Sequence, residues 1–204
     1  MITSSTLPST AAPSVSEPSD GPRLAPIDRY VGIGVALLRA AFRFMFGKVM
    51  MPLRVVFPRI PGYAWPHFGI MWFATRGITL PRPVMHALSM RVSRNNACSF
   101  CFDMHKAAFM LEKPDPAALE LATRDPNDPT LDPQLGAVLA YADEVVQQGN
   151  VSDATFARLT ASFSEKHVVQ IVWLAAFVTY TNMLARPLRL QSDGFCSIVD
   201  KKLS

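Results

Sequence analysis

The 204-residue chain is poor in cysteine, with only three. That is too few for a disulfide-stapled scaffold, and the chain is long enough to bury a core without staples. Charged residues are sparse at 18%. No unbroken apolar run approaches the ~18 residues that a membrane span requires. The N-terminus lacks a basic segment followed by a continuous apolar one, so no secretory signal is read and a cytoplasmic location is expected. Basic residues form no run of five and accompany no nucleic-acid-binding motif, so nucleic acid is not expected as a partner. The seventeen prolines show no Gly-x-y period, which excludes collagen. What is present is a chain that is 50% hydrophobic, which excludes wholesale disorder. Its length suits one domain of the usual ~150 residues with an appendage.

The net charge of +4 divides unevenly, with +8 over residues 1–94 and −4 over residues 95–204. The simplest reading is that the basic half packs against the acidic one, within or between subunits. Fourteen of residues 1–26 are Ser, Thr or Pro. Such a segment buries too little apolar surface to offset its ordering entropy and reads as a flexible tail. An all-helical domain is expected over 27–200. In 28–47, Val31, Val35, Leu38, Phe42 and Met45 fall at helical spacing, with Asp28 as cap. Residues 49–66, with four prolines, read as an irregular connection. A short helix over 67–76 follows, then one capped by Thr79 that runs to Arg94, and another over 97–112. Asp132, Ser152 and Ser164 cap three more. Their stripes include Leu135, Val138, Leu139, Ala142 and Val145, then Val168, Ile171, Val172, Ala175, Val178 and Met183. No alternating strand pattern occurs, so the fold class is all-α.

The stretch that carries chemistry is Asn96-Ala-Cys98-Ser-Phe-Cys101-Phe-Asp-Met-His105. On a helix, spacings of three and four put Cys98, Cys101 and His105 on one face, within side-chain reach. Cys98 falls in the first turn, where the helix dipole favours a thiolate. His105, one turn below Cys101, can take its proton and hold the resulting charge pair. A dithiol that can close a disulfide beside a base is the minimum apparatus for thiol redox work. The bland alternative is two buried cysteines beside a packed histidine.

Arg91-Val92-Ser93 followed by Asn96-x-Cys98-x-x-Cys101-x-x-x-His105 resembles the carboxymuconolactone decarboxylase/AhpD-like superfamily, in its alkylhydroperoxidase-like branch. Val151-Ser152-Asp153, Phe163-Ser164-Glu165, Asn182 and Ser192-Asp193-Gly194-Phe195-Cys196 extend the resemblance over about residues 60–196. It implies an all-helical bundle that assembles into homo-oligomers. It also implies thiol-dependent reduction of a hydroperoxide without a cofactor, the cysteines cycling through a disulfide reopened by a dithiol or disulfide-reductase donor. His86 stands where the family places a relay glutamate, twelve residues before the first cysteine. An imidazole can pass a proton but supplies no standing negative charge, and a packed histidine without a role is the alternative. The helix dipole favours Cys98 as the attacking thiol. Proximity to His105 and the resemblance favour Cys101.

Three rival readings remain. Cys98, Cys101, His105 and His86 make a possible metal set, although structural zinc usually takes its CxxC from a turn. A non-redox lyase on the same fold is a second, although such relatives lack the cysteine pair. Peripheral membrane contact through the 28–47 helix is the third, a helix docked on the core being preferred. Among single residues, Cys196 reads as structural, Asp103 as solvated or ion-paired, His67 as structural and His167 as a surface residue. Trp65, Trp72 and Trp173 read as core more than as pocket lining.

Overall fold

The computed structural model describes residues 21–29 and 32–203, and every regular element among them is helical. The order is α1 (Ile33–Phe46), α2 (Pro52–Val55), α3 (Ala64–Gly77), α4 (Arg82–Asn95), α5 (Ser99–Met110), α6 (Pro133–Gln148), α7 (Asp153–Ser162), α8 (Glu165–Ala185) and α9 (Phe195–Leu203). Single 3-10 stretches cover Pro61–Tyr63 and Pro116–Thr123. Of the segment read as a tail, residues 1–20 lie outside the described residues, as does Val31. The Arg23 N–H donates to the carbonyl of Leu188 and the Ile27 N–H to that of Arg54.

Local chemistry starts and stops several helices as expected. The Asp132 carboxylate accepts from the N–H groups of Gln134 and Leu135, the Ser152 hydroxyl from Thr155, and the Ser164 hydroxyl from His167. Gly149 closes α6 at φ 71°, a conformation that costs glycine nothing. Other starts differ. Asp28 does not cap α1, which follows Gly32 without a side-chain cap. Its carboxylate instead takes two hydrogen bonds from the Arg54 guanidinium, at 2.7 and 2.9 Å. Thr79 does not cap α4 either. Pro81 precedes that helix, and Thr79 meets Gln170 and His167 of α8. The region 49–66, expected to be irregular, holds α2 and a 3-10 turn, both opened by proline.

α4 is the central helix, packed against α5, α6, α8 and the second 3-10 stretch. Two large apolar clusters make up most of the core. One joins α4 to α6, α7 and α8 through Leu88, Val92, Val138, Leu139, Leu159 and Ile171. The other gathers α1, α2, α3, α5 and α9 around Val35, Leu53, Phe57, Phe68, Phe100 and Phe195. Ion pairs Lys48–Asp193, Arg82–Glu112 and Arg91–Asp143 tie the basic half of the chain to the acidic half. By length and composition alone α8 could cross a membrane, with a mean hydropathy of 1.6. Within the fold its Val168, Ile171, Leu174, Ala175 and Val178 are buried. Val172 and Met183, expected in the same stripe, are exposed. So are Trp65, Trp72 and Trp173, against the expectation of core positions.

Candidate active site

The site is built on the bend between α4 and α5. α4 ends at Asn95, and Ala97 turns the chain in the left-handed region at φ 51°. Cys98 is therefore the residue capping α5 rather than part of its first turn. Its N–H donates to the Ser93 carbonyl at 2.9 Å. Its sulfur accepts from the Cys101 N–H at 3.3 Å. Cys98 and Cys101 form a disulfide across a Cα–Cα separation of 5.3 Å, and both are buried. The preceding Arg91-Val92-Ser93 anchors this bend. Arg91 donates twice to Asp143 of α6, each at 2.5 Å, and also to the carbonyls of Ala122 and Arg124. Val92 is fully buried. Asn182 of α8 donates from Nδ2 to the Ser93 hydroxyl at 3.4 Å.

Beside the disulfide lies a cavity of about 430 Å³. Its walls are apolar, with Phe42, Phe68, Met71, Met104, Phe177 and Leu184 from four helices. Cys101, His105 and His86 all reach it, whereas Cys98 does not line it. Burial pushes the His105 imidazole down to about 4, so it is neutral while the disulfide is closed. His86 is 5% exposed and stacks on Phe109 with ring centroids 4.5 Å apart. Burial, followed by the positive charge of Arg82, pushes it down to about 3. Its Nε2 lies 3.1 Å from Oε1 of Glu112, which also lines the cavity. Arg82 binds the same carboxylate through Nε, at 2.9 Å, and through Nη2.

Glu112 is the residue that sequence reasoning missed. A signal existed: it lies seven residues, two helical turns, beyond His105, which is the spacing for one helix face. The place where a family glutamate was expected holds His86, yet a carboxylate reaches the cavity from the far end of the motif.

The remaining candidates divide between scaffold and surface. Asp103 is half-buried and engaged within the fold rather than free on the surface. Its carboxylate accepts from the N–H groups of Phe195 and Cys196, at 2.8 and 3.2 Å, and so starts α9. Cys196 lies in that helix rather than in a tail, and its thiol donates to the Asp103 carbonyl. Burial pushes the Cys196 thiol up to about 12, the Asp103 hydrogen bond acting in the same direction. His67 lines the cavity among Phe57, Phe68, Phe177 and Tyr180, with Nδ1 buried and without a partner. His167 meets Thr79 at 3.2 Å. Trp72 edges the cavity, and Trp65 does not. Among the described residues, no group of three or more His, Cys, Asp or Glu side chains is arranged to hold a metal ion.

No protein-family model and no curated protein matches the chain. Solved structures do. An alkylhydroperoxidase AhpD core, an uncharacterized peroxidase-related protein from Ralstonia eutropha, is 21% identical with a TM-score of 0.65, over 84% of this chain and 95% of its own. An uncharacterized peroxidase-related protein from Silicibacter is 18% identical with a TM-score of 0.67, over 87% of this chain and 94% of its own. The debrominase Bmp8, in a cysteine-to-alanine variant complexed with 2,3,4-tribromopyrrole, is 14% identical with a TM-score of 0.72, over 87% of this chain and 96% of its own. The chain has the all-helical fold of the AhpD-like, peroxidase-related proteins.

Proposed function

We propose that the protein is a thiol-dependent hydroperoxide reductase. The observation that carries this reading is a disulfide-forming Cys98–Cys101 pair whose Cys101 shares an apolar cavity with His105 and His86. In the reduced protein His105, aided by His86, takes the proton of Cys101. The thiolate attacks the distal peroxide oxygen; the S–O bond forms as the O–O bond breaks. The leaving alkoxide recovers the proton from the imidazolium and departs as the alcohol. Cys101 is left as a sulfenic acid. The Cys98 sulfur attacks it, closing the disulfide and releasing water. A dithiol or disulfide-reductase donor then reduces the bridge, consistent with a cytoplasmic enzyme. Cys101 is the attacking thiol in this scheme because it, and not Cys98, faces the cavity. No cofactor enters the scheme.

Steady-state consumption of cumene hydroperoxide with a dithiol donor tests the reading. Wild type should turn over, and Cys101→Ser should fall at least a hundredfold. Equal rates would remove the reading. A second reading draws on the apolar walls and on the debrominase neighbour: a dithiol could also reduce a carbon–bromine bond, releasing bromide as a C–H bond and the disulfide form. Bromide release from 2,3,4-tribromopyrrole, without peroxide consumption, would favour it.

We also propose a homo-oligomer. α3 exposes Trp65, Ile70, Trp72 and Phe73, and α8 exposes Val169, Trp173, Tyr180 and Met183. His67 of α3 and Tyr180 of α8 are in ring contact, with centroids 5.8 Å apart, so the two helices are neighbours. Large apolar side chains exposed on neighbouring helices mark a surface that a second subunit can cover.

A further inference from the structure

We infer that Glu112 is a positioning residue of the redox site: it holds His86 as the tautomer protonated on Nε2 and stabilises the positive charge that His86 shares as it aids His105 in taking the proton of the dithiol. The inference rests on the thiol-redox reading above, but its test does not require peroxide turnover.

The Glu112 carboxylate takes two hydrogen bonds from Arg82, the pairing of an ionised carboxylate with a guanidinium. An ionised carboxylate only accepts hydrogen bonds. The contact of 3.1 Å with His86 is therefore an Nε2–H donating to Oε1. A neutral imidazole carries one ring proton, so Nδ1 is left as the acceptor. Two further contacts keep the ring in that setting. It is buried at 5% exposure, and it lies flat on Phe109 with an interplanar angle of 15°. The arrangement of a carboxylate behind a histidine, fixing its tautomer and favouring its cation, is the one that orients general bases in hydrolases.

Among the described residues, the charged or titratable groups lining the cavity are His67 from α3, Arg82 and His86 from α4, Cys101 and His105 from α5, and Glu112 beyond it. The described wall from α8 carries none. The positive charge of Arg82 alone would disfavour a protonated His86, and Glu112 is the carboxylate placed on the cavity to oppose it. The same cation, if unpaired, would instead attract a thiolate at Cys101. The two possible roles of Glu112 therefore have opposite signs. If it serves His86, removing its charge makes the thiolate harder to form. If it only neutralises Arg82, removing its charge makes the thiolate easier to form.

The experiment is the pH dependence of iodoacetamide alkylation at Cys101 in the fully reduced protein, read by peptide mass mapping. Glu112→Gln keeps the shape and loses the charge. Its alkylation curve should move up by about one pH unit, a roughly tenfold slower reaction at neutral pH. Glu112→Asp should recover most of the wild-type curve, and it serves as the informative variant should the glutamine protein fail to fold. His86→Gln should match Glu112→Gln, and the double variant should be no slower than either single one. A curve that stays in place or moves down in Glu112→Gln, or effects that add in the double variant, would overturn the assignment. A protein that consumes no peroxide yet shows the upward, non-additive shift would lose the proposed function and keep this inference.

Discussion

His105 and His86 are poor bases while the disulfide is closed, because burial removes the water that would solvate their cations. The proposed mechanism requires reduction to change this for His105. A Cys101 thiolate four residues away offers an anion to hold the imidazolium, which a disulfide cannot. An NMR titration of the His105 ring should show a value near 4 in the disulfide form and a rise of at least one unit on reduction. An unchanged value would show that His105 does not sense Cys101. The same shifts set a pH dependence of stability. Both folded-state values lie below the ordinary 6.5, so the unfolded chain binds more protons as pH falls from about 6.5 towards 4 for His105 and towards 3 for His86. The disulfide form should therefore lose stability across that window, and its thermal midpoint should fall. His105→Gln should flatten that slope, and a slope identical to wild type would contradict the role given to burial.

At the scale of elements, α9 depends on a contact that no local pattern reveals. Asp103 belongs to α5, yet its carboxylate supplies the N-terminal cap of α9, more than ninety residues later in the chain. Asp103→Ala should cost about 1–2 kcal/mol, the usual loss for a helix cap. Amide exchange over 195–203 should quicken, and Cys196 should become open to alkylation. Protection equal to wild type would show that α9 is held by its apolar face alone. This contact also marks how far the sequence could be read. Asp132, Ser152 and Ser164 were legible as caps because each acts on N–H groups two or three residues away. Asp28 and Thr79 looked equally suitable, but Arg54 and Gln170 took their side chains across the fold. In the site, Cys98, Cys101 and His105 were legible from helical spacing. Glu112 was legible only as a carboxylate two turns beyond His105; its pairing with His86 and Arg82 depends on how the turn after α5 meets α4, which no local pattern shows.

For the whole molecule, the homo-oligomer proposed from the exposed aromatic side chains of α3 and α8 can be tested directly. Light scattering after size exclusion should give a homo-oligomer at micromolar concentration, and Trp173→Glu should shift it towards monomer. A wild-type protein that remains monomeric would contradict this. The cavity, the dithiol and the histidines belong to one chain, so the chemistry can be tested whatever the assembly. The most direct measurement is a single turnover. Fully reduced protein is mixed with one equivalent of cumene hydroperoxide, and alcohol, free thiols and the Cys98–Cys101 bridge are followed together. The proposed mechanism predicts one alcohol formed and two thiols lost per peroxide, with the bridge at Cys98–Cys101 and Cys196 still free. Alcohol formed while both cysteines stay reduced, or peroxide left intact, would contradict it.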